Sequence, residues 1–448
     1  MHQQLTYLDQ ALSSLVLWRG ITGDPAVQCF QNIVQAASRQ SPTPAGSLLP
    51  EYSRLAGLLT ESSVDRHLPP AGNPWQNHLL NLILFEDHRL ARQAAAGQDI
   101  APLLQDAFRH DLSQLQAVCR QGLADLEKIF HNCPGLFPLS GYNCHFSGQG
   151  SHPAWGRFLE LKQKLLSSPH WPDLFSDFLS FYQQVGFGRF ARYWAFRWEA
   201  TAAGYRLVGI EEPDAIRLHQ LVGYELQRKQ VLDNTERLLA GQPAHNLLLY
   251  GDRGTGKSST VKALLHRYGH RGLRLIQVPR HSLGGLQQLT ANLRKTPLKF
   301  IIFIDDLSFE ETETEYKEFK TQLEGSLEQP PSHICIYVTS NQRNLIKEYF
   351  GERTTRVADS GEVHPGDTMQ EKLSLVDRFG LKITFMAPDK EEYLKIVRHL
   401  AAQEGIRLAP EVLERMALQW TLWHSERSGR TARQFVDHIK DREDLNIF

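Results

Sequence analysis

A chain of 448 residues, 41% hydrophobic and 22% charged, has room for roughly two to four domains and needs no disulfide or metal staple to fold. Its 49 basic and 50 acidic residues leave a formal net charge of −1, so the basic excess of a dedicated nucleic-acid binder is missing, although a local basic patch is still compatible with it. Five unpatterned cysteines (Cys29, Cys119, Cys133, Cys144, Cys335), an N-terminus that does not read as a signal peptide and the lack of an apolar run of about 20 residues give the expectation of a cytoplasmic protein without a membrane span.

Residues 1–205 read as a mostly α-helical N-terminal domain. The stretches 75–93 and 101–130 repeat apolar residues at three- and four-residue spacing, and Pro/Gly/Ser-rich breaks fall at 39–47, 67–74 and 133–143. The aromatic and arginine-rich stretch 181–200 is read as a packed helix with snorkelling arginines, in preference to a surface for stacking nucleic-acid bases. His131, Cys133, Cys144 and His145 match no tight metal knuckle and are read as ordinary thiols and imidazoles.

Residues 206–244 form a connector. From 245 to 387 short apolar strands alternate with amphipathic helices, the pattern of a parallel α/β sheet. Strands are expected at Asn246–Tyr250, Leu273–Val278, Phe300–Ile304, Ile334–Thr339 and Lys382–Phe385. Residues 388–448 turn helical again, at 389–405, 410–424 and 431–441.

The sharpest signal is 251-GDRGTGKS, a complete G-x-x-x-x-G-K-[ST] phosphate loop between a predicted strand and a predicted helix. Gly251, Gly254 and Gly256 let the backbone wrap so that successive N–H groups of the loop, Asp252, Arg253 and Thr255 included, point at phosphates. The following helix N-terminus at Ser258 and Ser259 adds its dipole. Lys257 would bridge the β- and γ-phosphates, and the Ser258 hydroxyl would ligate Mg²⁺.

A second signal lies 48 residues after Lys257, where the apolar run 300–304 leads into Asp305 and Asp306. Asp305, at the end of a buried strand, is the expected Mg²⁺-side partner of Ser258. Asp306 has two readings, a general base for the attacking water or a helix-capping or turn acid. The charged run 310–320 reads as a solvated helix start. The Asn-Lys-x-Asp signature of guanine-specific proteins is absent, which favours adenine.

With 221-LVGYELQ, 251-GDRGTGKSS, 302-IFIDDLSF, 337-YVTSNQRNL, 376-VDRFGL and 428-SGRTARQF in this order, the chain resembles the AAA+ ATPase superfamily, and more narrowly a bacterial family of AAA+ ATP-binding proteins of unassigned function. The narrower resemblance runs from about residue 190 to 440. It implies a parallel P-loop sheet with a C-terminal helical lid, ATP and Mg²⁺ as ligands, and a homo-oligomer. By the same resemblance Val222, Gly223 and Tyr224 would line the adenine pocket. Asn341 would be the first sensor, Arg378 an arginine finger reaching a neighbouring subunit, and Arg433 the second sensor, with Arg430 competing for that role. The bland alternatives are a strand-end turn for Asn341 and a surface ion pair with Asp377 for Arg378. Asp306 stands where most of the superfamily has Glu. The insertion 351–374 is either a partner-contacting loop or a plain surface loop.

Three functions follow from these residues. The first is an ATPase that couples hydrolysis to remodelling or loading of a protein or nucleic-acid partner. The second is a nucleotide-gated binding switch with slow hydrolysis. The third, a small-molecule kinase, lacks an evident acceptor site.

Overall fold

The computed structural model describes residues 2–39, 43–63, 67–131, 133–134, 136–144, 152–308, 319, 331–341, 375–424 and 426–440. His145, the run 310–318 and the insertion 351–374 lie outside the described residues. The chain divides into two compact units: Met1–Trp194 with His270–Gly272, and Ala195–Gly269 with Leu273–Phe448.

The first unit is helical: α1 (His2–Ser13), α2 (Pro25–Ala37), α3 (Ala45–Ser63), α4 (Pro74–Phe85), α5 (Arg89–Ala95), α6 (Pro102–Ile129), α7 (Trp155–Ser167), α8 (Phe175–Val185) and α9 (Gly188–Arg192). The expected breaks carry the caps. Asn73 and Gln76 form a capping box with Pro74 in the first turn of α4, so the 67–74 segment ends where a helix can start. The 75–93 stretch is two helices rather than one, because His88 accepts a hydrogen bond from the Ala91 amide and caps α5. Trp18, Trp75, Trp171 and Phe108 are buried in the core of this unit.

The second unit is built on a seven-stranded sheet. Its strands are β1 (Ala195–Thr201), β2 (Gly204–Ile210), β3 (Leu247–Gly251), β4 (Leu273–Gln277), β5 (Lys299–Ile304), β6 (Ile334–Ser340) and β7 (Leu381–Phe385). The order is β2-β1-β4-β5-β6-β3-β7, with β1 and β2 antiparallel and every other pair parallel. The five predicted strands are the five central and far-edge ones, each within a residue or so of its expected ends. β5 and β6 are buried almost end to end, as covered parallel strands must be.

Two readings of the sequence are corrected. The stretch 181–200 is not one helix: α8 stops at Val185, Gly186 (φ 97°) and Gly188 (φ 53°) take left-handed backbone, and the chain enters β1. Its arginines do not all snorkel, since Arg197 lies 3.9 Å from Glu199 on the exposed face of β1. The 206–210 part of the expected connector is the edge strand β2, whose Tyr205 stacks on Trp198 with ring centroids 5.7 Å apart. Alternation of buried Phe196 and Trp198 with exposed Arg197 carries the period of a strand, which the density of aromatics hides.

Helices α10 (Glu225–Leu239), α11 (Lys257–Tyr268) and α12 (Leu286–Leu293) belong to this unit. Buried Asn234 of α10 bonds both the amide and the carbonyl of His245, just before β3, and donates to the Tyr337 hydroxyl of β6. A polar side chain thus fixes α10 against two adjacent strands. The C-terminal helices α13 (Lys390–Gln403), α14 (Pro410–His424) and α15 (Gly429–Lys440) share their own core, in which Tyr393, Val397, Ala417 and Val436 are fully buried. α13 opens with an Asp389–Glu392 capping box. A mostly parallel sheet with β3 between β6 and β7, followed by C-terminal helices, makes an AAA+-like α/β fold.

Gly251 closes β3 with φ 130°, and a Cβ there would lie 2.1 Å from the Phe385 carbonyl oxygen of β7. Gly251→Ala is therefore expected to push β3 from β7 and to destabilise the second unit by roughly 3 kcal/mol. Urea unfolding followed by circular dichroism measures the shift, and an unchanged midpoint contradicts the close approach.

Candidate functional site

A cleft of about 830 Å³ opens where β3, β5 and β6 end. In an open parallel sheet this is the position at which loops from several strands converge and side chains can be brought together. Its walls are the phosphate loop, the two aspartates after β5, Thr339 and Asn341 at the end of β6, the strap 215–222, and the lid residues Ile396, Leu400 and Arg430.

The loop keeps its shape through backbone bonds. Gly254 and Gly256 take φ of 71° and 91°, and the Asp252 amide donates to the Phe385 carbonyl at 2.9 Å. The Asp252 carboxylate accepts the Ala387 amide at 2.5 Å, so it anchors the loop to the exit of β7. Lys257, the first residue of α11, donates to the carbonyls of Gly251 (2.9 Å) and Asp252 (2.6 Å) and to Asn341 Oδ1 (3.2 Å). Burial pulls its pKa below the ordinary lysine value, against the opposing pull of Asp252, Asp306 and Asp305.

Asp305 joins three segments. Its Oδ1 accepts the Ser258 hydroxyl at 2.5 Å and the Thr339 hydroxyl at 2.6 Å. The next residue, Asp306, takes a left-handed φ of 52°, unusual for a residue with a side chain. That turn is held by its amide donating to Thr339 Oγ1 (2.9 Å) and by Asn341 Nδ2 donating to its carboxylate (2.5 Å). Asn341 therefore touches Lys257 through its oxygen and Asp306 through its nitrogen.

Ala215, Ile216, Leu221 and Val222 before α10 and Ile396 and Leu400 of α13 supply apolar side chains to the same cleft. Gly223 and Tyr224 turn the chain out of it with positive φ, 76° and 58°. The Tyr224 hydroxyl donates to the Met386 carbonyl at 2.6 Å, and its ring packs against Phe385.

Of the residues picked from the sequence, Arg253, Gly254, Thr255, Gly256, Lys257, Ser258, Ser259, Asp305, Asp306, Asn341, Val222, Tyr224 and Arg433 line this cleft. Gly223, Gly251 and Asp252 adjoin lining residues in the chain without lining the cleft themselves, and Arg378 is exposed outside it, in the turn after Leu375. Asp377, the surface partner considered for Arg378, bonds Lys382 at 2.6 Å. Arg433 is bonded to Glu404 at 2.8 Å, whereas the Arg430 guanidinium has no partner among the described residues. The Arg430 amide lies 3.3 Å from the Gly254 carbonyl, and a Cβ on Gly254 would meet Ser428 Oγ at 2.6 Å. The start of α15 thus rests directly on the phosphate loop.

Sequence reasoning missed Thr339, Arg228 and the strap residues Ile216 and Gln220. Thr339 had a signal, since it ends a buried strand two positions before Asn341. The strap had none, because its cleft-facing positions follow no period.

Fold and cleft together define the class, an AAA+-like α/β fold. The chain belongs to the family described as "Protein of unknown function (DUF815)", which matches residues 191–443. Among solved structures, the Thermotoga maritima RuvB Holliday junction branch migration motor is 14% identical over 50% of this chain and 64% of its own, with a TM-score of 0.34. The FIGL-1 AAA domain in complex with ADP is 18% identical over 52% of this chain and 76% of its own, with a TM-score of 0.35. The chain thus covers a little under two thirds of the RuvB structure. No curated protein matches in sequence. Among the described residues no helix is long and apolar enough to cross a membrane.

Thr339 is buried and serves both aspartates, as donor to one and acceptor for the backbone of the other. Thr339→Val keeps the shape and deletes both bonds, leaving the Asp306 amide without its partner. A loss of roughly 2 kcal/mol in chemical denaturation is expected, and a neutral result contradicts the bond network.

Proposed function

We propose that this chain is an ATP-binding AAA+ ATPase whose turnover drives remodelling or loading of a protein or nucleic-acid partner. The observation that carries the reading is the 2.5 Å contact between Ser258 Oγ and Asp305 Oδ1 at the start of α11, beside the phosphate loop. A hydroxyl and a carboxylate side by side are oxygen donors suited to Mg²⁺, which when bound neutralises charge on the phosphates. Lys257 and the loop amides would hold the phosphates. The apolar part of the cleft would take the adenine against Val222.

In this reading Asp306 accepts a proton from the attacking water and Asn341 orients that water. Water adds to the γ-phosphorus as the bond to the β-phosphate oxygen breaks, giving ADP and phosphate. We assign the lid contact with the γ-phosphate to Arg430 rather than Arg433, because Glu404 already engages Arg433. Arg378 would complete the site of an adjacent copy in a homo-oligomer. Residues 206–244 would then supply the base pocket, 245–387 the hydrolytic core and 388–448 the lid.

One observation favours a second reading, a nucleotide-gated switch with slow turnover. Asp306 is shorter than the usual Glu and its carboxylate is already bonded to Asn341. Calorimetry and phosphate release on two variants test the site. Lys257→Ala is expected to lose ATP binding with the fold intact. Asp306→Asn should keep ATP binding and lose turnover on the order of 10²–10⁴-fold. Equal ATP affinity in Lys257→Ala overturns nucleotide binding at this cleft. Unchanged turnover in Asp306→Asn makes Asp306 a structural cap and moves the base to another acid, and turnover of the wild type at controlled protein concentration separates the ATPase from the switch.

The shared site is tested by mixing. Arg378→Ala should bind ATP and fail to hydrolyse it, and adding Lys257→Ala protein should restore part of the activity at mixed interfaces. An arginine finger contributes about 10³–10⁵ in rate, so even partial rescue is measurable. Absence of rescue, with specific activity independent of protein concentration, removes the oligomeric site.

A further inference from the structure

We infer that Asp214 is a positioning residue that clasps the base-side wall of the cleft to the helix behind the phosphate loop, so that affinity for the nucleoside part of the ligand depends on it. The inference rests on the nucleotide reading above. The wall is the strap between β2 and α10, which contributes Ala215, Ile216, Gln220, Leu221 and Val222 to the cleft. A loop of this kind has no ladder to hold it, so its position depends on a few side-chain bonds.

Asp214 supplies those bonds at the residue immediately before the cleft-lining pair. Its Oδ2 accepts Lys262 Nζ of α11 at 3.1 Å, and its backbone carbonyl lies 2.7 Å from His266 Nε2, one helical turn further along the same helix. Its Oδ1 accepts the Ile216 amide at 3.1 Å, which fixes the backbone of a residue that lines the cleft. Burial raises the Asp214 pKa, but the Lys262 bond, the Ile216 amide and the charges of Lys262 and His266 outweigh it and leave the carboxylate below its ordinary value. At the far end Gln220 bonds the Arg217 amide at 2.8 Å, and Val222 packs against the lid core. The strap is thus tied at one end to the helix that begins with Lys257 and packed at the other against the lid. The Lys262 pair alone is exposed and weak. Asp214 is effective because its carboxylate makes two of these contacts at once, to Lys262 and to the Ile216 amide, beside the third from its backbone carbonyl.

Inorganic tripolyphosphate separates this role from general damage, because it fills the phosphate loop and has no base to reach the strap. Calorimetry on the full chain with Mg²⁺ compares ATP with tripolyphosphate. Asp214→Ala is expected to weaken ATP by about 5-fold and to leave tripolyphosphate unchanged. Lys262→Met, which keeps the aliphatic stem, should reproduce the Lys262 part of the selective loss, and the pair Asp214→Lys with Lys262→Asp should recover that part only, because a lysine at 214 cannot accept the Ile216 amide. Wild-type ATP affinity in both single variants, or equal weakening of both ligands, overturns the clasp. Where Asp214→Ala does not fold, Lys262→Met alone decides in the same way. Lys257→Ala serves as the control that weakens both ligands. If the wild-type chain binds neither, the nucleotide reading falls and the clasp with it. If the wild type binds both and the single variants match it, the clasp alone falls.

Discussion

Asp305 Oδ1 is the atom on which three segments of the chain converge. Ser258 reaches it from the first turn of α11 at 2.5 Å, Thr339 from the end of β6 at 2.6 Å, and the carboxylate itself ends β5. An ionised carboxylate accepts without donating, so both hydroxyls can point at it without competing for a proton. The strands beneath cannot yield much. β5 and β6 are buried over nearly their whole length, and a slip of one residue would turn every apolar side chain to the wrong face. The phosphate-loop helix is therefore referenced to the middle of the sheet rather than to a surface loop, and Asp306 and Asn341 take their places from the same frame.

Legibility in the sequence followed the range of the interactions. The phosphate loop could be read because its glycines, lysine and serine act within one strand-loop-helix unit. Asp305 could be read because a buried strand announces itself as an apolar run. The strands 195–201 and 204–210 could not. Their alternation is short, it lies beside the arginines of 189 and 192, and the glycines that end α8 look like any loop until their φ values are known. The different surroundings of Arg430 and Arg433 were not legible either, since both lie on one helix and only the contact with Glu404 sets Arg433 apart. The role of Asp214 depends on residues 48 and 52 positions away, which no local pattern encodes.

In the helical unit, conspicuous polar residues turn out to hold architecture. Buried Asp111 accepts the amides of Val16, Leu17 and Trp18 and so ties the segment after α1 to α6. Buried Lys162 donates to the Pro69 carbonyl and to Asn77, fixing the turn before α4. His88, pushed down to about 4 by burial, caps α5 as a neutral ring. Each satisfies backbone groups that a loop-rich helical unit would otherwise leave without partners.

The seat of α15 on the phosphate loop has a thermodynamic consequence. Gly254 leaves no space for a side chain between the loop and Ser428, and its carbonyl meets the Arg430 amide. Loop and lid therefore share a surface with no slack. Whatever changes the curvature of the loop does work on the lid. A ligand of the loop and a macromolecule gripping α14 or α15, where both bind, would each feel the other by one and the same coupling free energy. A hydrogen in place of a methyl group at one position brings the loop and the last helix into direct contact.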